Sequence, residues 1–147
     1  MSAFVSTVTN KLDAKGRVSI PATFRQILAE QGTQGVYVPP SFVHPSLDGF
    51  GENLIADVQA RLAQQDPFFS EEHYSDAHAI LASAHLLSFD DEGRVRLPDE
   101  LIAHAGLTEK VTFVGLGRKF EIWNPGRLAP VQTARIERAR AKRNGGA

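Results

Sequence analysis

Two copies of one short motif place an aspartate four residues before an arginine. The segment LDAKGRVSIPATF (residues 12–24) matches FDDEGRVRLPDEL (residues 89–101) at an offset of 77 residues. An arginine guanidinium can donate two hydrogen bonds at once to O6 and N7 of guanine, the commonest specific contact to a DNA base. Asp13, four residues before Arg17, would hold that guanidinium in a fixed geometry through an ion pair. The motif therefore predicts recognition of nucleic acid.

The first copy of the motif gathers cations around one turn. Lys11, Lys15 and Arg17 are close together in the sequence, with Ser19 just beyond. We assign Arg17 to the base edges, where a good bidentate contact contributes about 1–3 kcal/mol of discrimination against the wrong base. Lys11 and Lys15 are assigned to phosphates, and Arg25, on the following helix, to a further phosphate contact. The first copy is therefore the predicted DNA-contacting unit.

The second copy carries the same aspartate and arginine in an acidic setting. Glu92 stands where the first copy has Lys15, and Asp91 precedes it. Because carboxylates at this turn would repel phosphates, we expect the second copy to serve assembly, with Arg94 in a mostly structural role. The alternation of polar and apolar residues predicts that Arg96 is exposed, and its role stays open. The competing interpretation is that both aspartate–arginine pairs only fix their turns, since such pairs are common.

The residues around each motif predict the same order of elements. Alternating side chains over residues 4–12 indicate a strand, which is followed by a turn in which Gly16 takes a positive φ. A short second strand places Val18 and Ile20 on one face, and a helix with an apolar face begins at a proline in its first helical position. The residues of these helices are Pro21, Phe24, Ile27 and Leu28 before Gly32, and Pro98, Leu101, Ile102 and Ala105 before Gly106.

Two further segments complete the copies, and a basic tail follows them. Residues 111–125 alternate around two glycines, which is typical of a hairpin. Residues 36–50 are a weaker counterpart, in which adjacent prolines exclude a regular central strand. Residues 133–143 carry five basic groups on a possible helix, which either adds nonspecific, salt-sensitive affinity for DNA or is simply solvated.

The segment between the copies predicts two helices. Residues 53–65 and residues 70–88 have helical apolar spacing. In the second helix, Ser70 is a candidate N-cap, and apolar residues recur at spacings of three and four from Tyr74 to Leu87. We interpret this stripe as simple packing.

The composition restricts the classes of protein to which the chain can belong. Its 147 residues are 42% hydrophobic, which is enough for a core and allows one domain or two small ones. The absence of cysteine excludes disulfides, thiolate metal sites and cysteine nucleophiles. Neither a secretory leader nor an apolar run of membrane-spanning length is visible, so we expect a soluble intracellular protein without membrane contact.

The net charge of −1 is distributed unevenly along the chain. Residues 1–60 carry −1, residues 61–100 carry −6 and residues 101–147 carry +6. Binding to a polyanion requires local rather than overall positive potential. The near-neutral total is therefore only a weak argument against nucleic acid.

Signals for catalysis or for a bound cofactor are weak. The five histidines show no HExxH spacing, and no G-x-S-x-G segment supports a serine nucleophile. The acids and histidines between Glu71 and His78 are expected to form a solvated helix start rather than a metal site. Gly115 and Gly117 lack the third glycine of a dinucleotide loop. We therefore expect no enzyme, no cofactor, no metal and no catalytic residues.

As a set, these segments resemble the MraZ family of bacterial transcriptional regulators. The resemblance rests on residues 12–25, on residues 89–101 and on VTFVGLGRKFEIWNP at residues 111–125, and it covers nearly the whole chain. It implies an α+β fold of two tandem SpoVT/AbrB-like swapped-hairpin units that form a pseudo-twofold β-barrel with flanking helices. The implied divisions are a first unit at residues 5–52, a helical linker at 53–82, a second unit at 83–126 and a basic helical or disordered tail at 127–147.

The resemblance also implies a function. Members of the family bind short direct repeats in double-stranded promoter DNA upstream of the division and cell-wall gene cluster and regulate that operon, usually as repressors. They assemble as ring-like homo-oligomers, and the implied location is the cytoplasm, in association with the nucleoid. The candidate DNA-binding residues are Arg17, Lys15, Lys11, Asp13, Arg25 and Arg94. Two departures from the family pattern are the acidic Glu92 and the proline-rich residues 36–50.

Two other uses of the same fold stay open. AbrB-like antitoxins and transition-state regulators usually carry one copy of the unit per chain and dimerise, whereas here the repeat is internal. The remaining alternative is an oligomeric scaffold without specific DNA binding. Loss of operator binding on substitution of Arg17 would exclude that scaffold.

Overall fold

The computed structural model describes residues 2–145, which form a mixed α+β fold as the sequence predicts. The strands are β1 (Thr7–Lys11), β2 (Arg17–Ser19), β3 (Gly35–Val38), β4 (Leu47–Gly49), β5 (His85–Ser88), β6 (Arg94–Arg96), β7 (Lys110–Gly115) and β8 (Phe120–Trp123). The helices are α1 (Ala22–Glu30), α2 (Glu52–Leu62), α3 (Glu71–Ala77), α4 (Asp99–Ala105) and α5 (Pro125–Asn144), and a π-helical turn at His78–Ala82 continues α3. The last two residues of the predicted tail at 127–147 lie outside the described residues.

Each strand of the first copy pairs with a strand of the second copy. β1 pairs with β7, β2 with β6, β3 with β5 and β4 with β8, all antiparallel. Since β7 and β8 also form the predicted hairpin, one sheet has the order β1-β7-β8-β4, beside the two-stranded sheets β2–β6 and β3–β5. The described strands thus form three sheets rather than one closed barrel, and each sheet draws strands from both copies.

The hydrophobic core lies between the copies and uses side chains from both. At its centre, the rings of Phe4, Phe24 and Phe120 meet with centroids 4.8 to 5.3 Å apart. Val18 and Val95, at equivalent positions of β2 and β6, are fully buried in the same cluster. Because half of this chain is close to the lower size limit for a core of its own, we expect each copy to need the shared cluster in order to fold.

Both motif turns have the conformation that glycine favours, as predicted. Gly16 has a φ of 80° and Gly93 a φ of 77°. The Gly16 N–H donates to the Asp13 carbonyl oxygen at 3.1 Å, and the Gly93 N–H donates to the Asp90 carbonyl oxygen at 3.0 Å. The prediction that proline occupies the first helical position is wrong by one residue. Pro21 and Pro98 have extended ψ angles of 137° and 147°, so they are N-cap residues just before α1 and α4.

The proline-rich segment interrupts the first copy, as predicted. β3 ends at Val38, immediately before Pro39 and Pro40, and the chain returns as the short β4. β4 lies at the edge of the four-stranded sheet. Pro40 forms an isolated bridge with Leu47, and the Pro39 carbonyl oxygen accepts the Asp48 N–H at 3.1 Å, so the prolines border a short, irregular pairing with β4.

The linking segment is helical over a shorter stretch than predicted. Helical structure after Ser70 ends at Ala82, so the prediction of a helix over residues 70–88 is wrong beyond that point. Residues 85–88 form β5 because all four pair with β3, which satisfies their backbone groups in a sheet. Ser70 is the predicted N-cap, with its hydroxyl oxygen accepting the His73 N–H at 3.1 Å.

The apolar stripe of the linking segment is not simply packed. No side chain of α3 is buried in the part of the chain that the structure describes, and Tyr74 is half exposed. Leu87, in contrast, packs against the core from β5. The change from helix to strand divides the stripe and leaves its first part at the surface.

The helix α5 is anchored at its start and exposed at its end. The Asn124 side chain caps it by accepting the Gly126 N–H at 2.8 Å, and Leu128 is buried against Trp123. Residues 136–145 are all exposed. The helix predicted for residues 133–143 is thus confirmed, although it begins earlier. Within residues 2–145, no helix combines the length and the apolar character needed to cross a membrane.

A buried ion pair fastens α5 to the four-stranded sheet. Glu121 on β8 accepts hydrogen bonds from Arg135 Nη1 and Nη2 at 2.7 and 2.9 Å, and from Trp123 Nε1 at 3.0 Å. Burial disfavours the carboxylate, but the hydrogen bonds from Arg135 and Trp123 outweigh it and place the pKa of Glu121 below its ordinary value. Arg135 also contacts His44, with Nη2 and Nε2 3.3 Å apart.

Candidate nucleic-acid interface

The first motif turn is built around the Asp13 carboxylate. Its Oδ1 accepts the backbone N–H groups of Lys15 and Arg17, both at 2.9 Å, and its Oδ2 accepts Arg17 Nε at 2.7 Å. These contacts, led by the backbone hydrogen bond from Arg17, lower the pKa of Asp13 from 3.8 to about 2. The ion pair predicted between Asp13 and Arg17 is therefore present, and the carboxylate is ionised at neutral pH.

This geometry fixes the Arg17 side chain without using its outer nitrogens. The ion pair engages Nε, and within residues 2–145 neither Nη1 nor Nη2 of Arg17 has a hydrogen-bonding partner. A guanidinium held by Nε keeps two parallel donors available, which is the geometry that a bidentate contact to guanine requires. Lys15, at the tip of the turn, is exposed beside it.

The second turn has the same frame but a different charge at its tip. Asp90 accepts the backbone N–H groups of Glu92 and Arg94, both at 2.9 Å, and Arg94 Nε at 2.8 Å, which together lower its pKa. Glu92 then places a carboxylate oxygen 3.6 Å from Arg94 Nη1. An outer nitrogen of Arg94 thus faces a carboxylate, whereas the outer nitrogens of Arg17 do not. The hydrogen bond that Arg94 donates to Asp90 and the nearby negative charges raise the pKa of Arg94.

The β2–β6 ribbon brings the two motifs together on one face. The register sets Arg17 opposite Arg96 and Ser19 opposite Arg94, with the buried Val18 and Val95 between them. Because side chains alternate along a strand, the three arginines lie on the outer side of the ribbon. A two-stranded ribbon of this kind fits the major groove of DNA. The two motifs are far apart in the sequence, and the pairing of β2 with β6 places them side by side.

The strand register also places a second lysine beside Lys11, one that no sequence motif indicates. Lys11 at the end of β1 lies opposite Lys110 at the start of β7, and both are exposed. Lys110 stands one residue before the predicted hairpin, and no local pattern links it to Lys11. Asn10 connects this end of β1 to the ribbon, since its side-chain amide donates to the carbonyl oxygen of Ser19 at 2.8 Å.

Arg25 lies between the two turns rather than at the outer face. Its Nη1 donates to the carbonyl oxygens of Ile20 and Gly93, at 3.0 and 3.3 Å. Its guanidinium occupies the space that a side chain on Gly93 would need, with Nη1 only 2.1 Å from an ideal Cβ position. Arg25 thus holds α1 against the second turn. The sequence predicts a phosphate contact for Arg25 and gives no sign of this intramolecular one.

No group of three metal-binding side chains comes together within the described residues. The acids and histidines from Glu71 to His78 follow the N-cap of α3, and Asp76 accepts a hydrogen bond from Gln65 at 3.0 Å. The remaining close histidine–acid contact, between His85 and Glu100 at 2.6 Å, joins β5 to α4.

Several bacterial proteins are similar in sequence to this chain over most of its length. A transcriptional regulator MraZ of Xanthobacter autotrophicus is 47% identical over 143 residues, which cover 97% of this chain and 90% of the relative. The transcriptional regulator MraZ of Azorhizobium caulinodans is 47% identical over 128 residues, covering 87% and 81% of the two chains, and that of Gluconobacter oxydans is 46% identical over 143 residues, covering 95% and 87%.

A family description points to the same group. The family "MraZ protein, putative antitoxin-like" matches residues 80–130, which include β6 and the hairpin of β7 and β8. With identities of this size over nearly the full length of the relatives, the chain belongs to the MraZ family, whose members named above are transcriptional regulators.

Proposed function

We propose that this protein binds specific sequences in double-stranded DNA and regulates transcription through the β2–β6 ribbon. The observation that carries the proposal is the Arg17 guanidinium, which is held at Nε by Asp13 while its outer nitrogens are unpaired within residues 2–145. Arg17 contacts guanine, Asp13 positions it, and Lys15 and Lys11 bind phosphates. Lys110 adds a further phosphate contact beside Lys11.

The remaining arginines take secondary roles in this proposal. Arg94 is restrained by Glu92 and serves mainly the structure of the second turn. Arg96, opposite Arg17 in the ribbon, supports binding from the second copy. Arg25 is a positioning residue, since it joins α1 to the second turn and thereby sets the ribbon against the core.

The proposed target is a set of short direct repeats upstream of the division and cell-wall gene cluster, including the protein's own operon. Membership of the MraZ family supports this target, the repressor role and a location in the cytoplasm at the nucleoid. The proposed units are residues 5–52 and 83–126, two SpoVT/AbrB-like swapped hairpins, joined by the linker 53–82 and followed by the tail 127–147. The exchange of strands between copies supports this division.

Assembly into a ring completes the proposal. One ribbon contacts few base pairs, and a single chain with a net charge of −1 has modest attraction for DNA. A ring of identical chains would place several ribbons on successive repeats, so that each bound ribbon raises the effective concentration of the next. Weak single contacts then give specific overall binding.

The test is a fluorescence-anisotropy titration of labelled upstream DNA at several salt concentrations, with a scrambled-repeat DNA as competitor. Arg17→Ala should weaken binding to the repeats by roughly 10- to 100-fold at fixed salt, because it removes a bidentate base contact. Arg94→Ala is the matched control, since it removes the equivalent arginine from the same type of turn. Its effect should be clearly smaller.

Equal affinity of wild type and Arg17→Ala for the repeats and for the scrambled DNA would remove the proposal. The turn would then be structural, and an oligomeric scaffold of the same fold would be the better account. Equal losses for Arg17→Ala and Arg94→Ala would keep DNA binding but reject the leading role of the first copy.

A further inference from the structure

The loop between α2 and α3 presents two phenylalanines to solvent in a fixed conformation. Phe68 is 73% exposed and Phe69 88% exposed. Asp66 Oδ1 accepts the backbone N–H groups of both, at 2.8 and 3.2 Å, and Tyr74 donates its hydroxyl to the carbonyl oxygen of Phe68 at 2.8 Å. Exposed aromatic side chains on an ordered loop mark a surface that a partner covers.

This loop and the helix after it are acidic. Residues 66–76, here named the acidic knob, contain four carboxylates and no lysine or arginine; the carboxylates are Asp66, Glu71, Glu72 and Asp76. The partner of the knob must therefore offer an apolar surface together with positive charge.

A groove elsewhere on the same chain has these properties. It has a volume of about 530 Å³ and lies between the segment after β3, α2, the π-helical turn, the β7–β8 loop and α5. Its apolar lining includes the exposed Phe42 and Val43, at 69% and 81% exposure, and Leu116. We name this surface the apolar groove.

The exposed part of α5 begins at one edge of the apolar groove. Arg135 lines the groove, and Arg138 and Lys142 follow at helical spacings of three and four residues on the same side of α5. Within residues 2–145, neither Arg138 nor Lys142 forms an ion pair, whereas Arg135 and Lys119 are matched by Glu121 and Asp48. The edge of the groove therefore carries unbalanced positive charge.

From these two surfaces we infer that the acidic knob of one protomer docks into the apolar groove of a second copy, with its carboxylates beside the basic half of α5. The phenylalanines of the knob are exposed in their own chain, so they leave its groove open. Because knob and groove are different surfaces, the contact is head-to-tail, and a pair of protomers keeps one free groove on the first and one free knob on the second for further copies. Repeated contacts of this kind close into a ring when their rotation permits. This inference rests on the proposed ring and identifies the surfaces that build it.

The test is the mass of the protein in solution, measured without DNA by native mass spectrometry and light scattering. Phe68→Ser/Phe69→Ser disables the knob, and Val43→Asp/Leu116→Asp disables the groove. All four side chains are exposed, so circular dichroism and the melting temperature should stay at the wild-type values. Leu86→Ser, at an exposed leucine on β5 outside both surfaces, is the matched control and should keep the wild-type mass.

We expect wild type to be a higher oligomer and each double variant to be a monomer. A one-to-one mixture of the knob and groove variants should give a dimer and nothing larger, since only one intact knob and one intact groove remain to meet. Retention of the wild-type mass by either variant, a monomeric wild type, or equal dissociation by Leu86→Ser would overturn the inference.

Charge reversal provides a second test that does not depend on removing apolar side chains. Glu71→Lys/Glu72→Lys and Arg138→Glu/Lys142→Glu should each lower the oligomer mass, and the combination of all four should restore it. Failure of the combination to restore assembly would overturn the pairing of these two surfaces.

DNA binding separates this inference from the proposed function. Arg17→Ala should lose binding to the repeats while it keeps the oligomer mass. The knob variant should lose the mass while it keeps a weak, Arg17-dependent affinity for one repeat. If instead the knob variant assembles normally but Arg17→Ala fails to bind, the docking surfaces are wrong and the DNA-binding proposal stands.

Discussion

Lys15 and Glu92 occupy the same position in two turns that are otherwise built alike. In both turns an aspartate accepts two backbone N–H groups and the Nε of an arginine. The difference in charge at one position changes what the outer nitrogens of that arginine face. A carboxylate lies 3.6 Å from Arg94 Nη1, whereas Arg17 is paired through Nε alone and its outer nitrogens have no partner among the described residues.

The Asp13 carboxylate should make stability depend on pH in the acid range. Its pKa is about 2 in the folded protein and 3.8 ordinarily, so the unfolded chain binds the proton first as pH falls. The stabilisation is complete above the ordinary pKa and is lost as pH falls to about 2. We therefore expect wild type to be more stable than Asp13→Asn at pH 6, with the difference disappearing between about pH 4 and pH 2.

Urea unfolding followed by circular dichroism at a series of pH values measures this difference. Asp66→Asn is a suitable control, because Asp66 also accepts backbone N–H groups in a turn but faces no arginine within the described residues. A difference between wild type and Asp13→Asn that is constant down to pH 2 would contradict the linkage.

The ion pair between Glu121 and Arg135 should contribute more to stability than the exposed charges further along α5. Arg135→Ala would leave the Glu121 carboxylate buried with no cation in contact, and we expect a loss on the order of 3 kcal/mol in the free energy of unfolding. The fluorescence of Trp123, the single tryptophan, should report the change because Trp123 donates to the same carboxylate.

Arg140→Ala provides the comparison on the exposed part of the same helix, away from the side that carries Arg138 and Lys142. Its effect should stay within about 0.5 kcal/mol, as is usual for surface substitutions. Equal losses for the two variants would show that the buried pair adds nothing beyond helix propensity.

At the scale of elements, local pattern predicts well where neighbours along the chain decide the structure. The turns at Gly16 and Gly93, the apolar faces of α1 and α4, and the β7–β8 hairpin follow from the residues themselves. The pairing of β2 with β6 does not, because it joins residues 75 to 79 positions apart. The strand β5 was also missed, since its leucines continue a helical spacing and only the contact with β3 selects a strand.

The same distinction applies to the candidate site. The sequence predicts the ion pair between Asp13 and Arg17, which are four residues apart on one turn. It does not predict that Arg96 lies opposite Arg17 or that Lys110 lies opposite Lys11, since both neighbours depend on strand register. Nor does it predict the contact of Arg25 with the Gly93 carbonyl oxygen, which spans the two copies.

The first motif turn should tolerate a side chain on its glycine poorly. Gly16 has a φ of 80°, and an added Cβ would lie 3.2 Å from the Leu97 carbonyl oxygen and 3.3 Å from Ile102 Cδ1. The left-handed conformation alone costs about 1–2 kcal/mol in a residue with a Cβ. Gly16→Ala should therefore destabilise the protein by more than that amount.

Gly32→Ala is the matched control, because Gly32 has a φ of 79° and no atom within 4 Å of an added Cβ. It should show the conformational cost without the crowding. Thermal unfolding of both variants measures the difference, and a larger loss for Gly32→Ala would contradict the role of the Leu97 contact.

At the scale of the whole molecule, the internal repeat is one folding unit. Each sheet includes strands of both copies, so each copy supplies strand partners that the other lacks. In the first copy, β3 and β4 meet through isolated bridges, of Tyr37 with Phe50 and of Pro40 with Leu47, where the second copy has the continuous β7–β8 ladder.

Fragments of residues 1–82 and 83–147 should therefore be unfolded alone and fold when mixed. Each lacks strand partners and buried phenylalanines that the other supplies: Phe4 and Phe24 belong to the first fragment, and Phe120, which packs against both, belongs to the second. Circular dichroism of each fragment and of the mixture, together with Trp123 fluorescence, measures this complementation.

The control is the intact protein cleaved after folding at a protease site inserted in the exposed loop after α2. Its two pieces should stay associated and retain the spectrum of the uncut chain. A native spectrum from either fragment alone would show that the copies fold independently.

The exchange of strands also has a consequence during synthesis. When the ribosome has completed β4 at Gly49, none of the first four strands has its partner strand from the second copy, and the last of those partners is complete only at Trp123. At about 5–20 residues per second, translation of the intervening stretch takes roughly 4–15 s. During that interval the emerging polypeptide carries unpaired strand edges and exposed core side chains. The nascent chain is thus more prone to edge-to-edge aggregation than the finished protein, and slower elongation between the two copies would prolong its exposure.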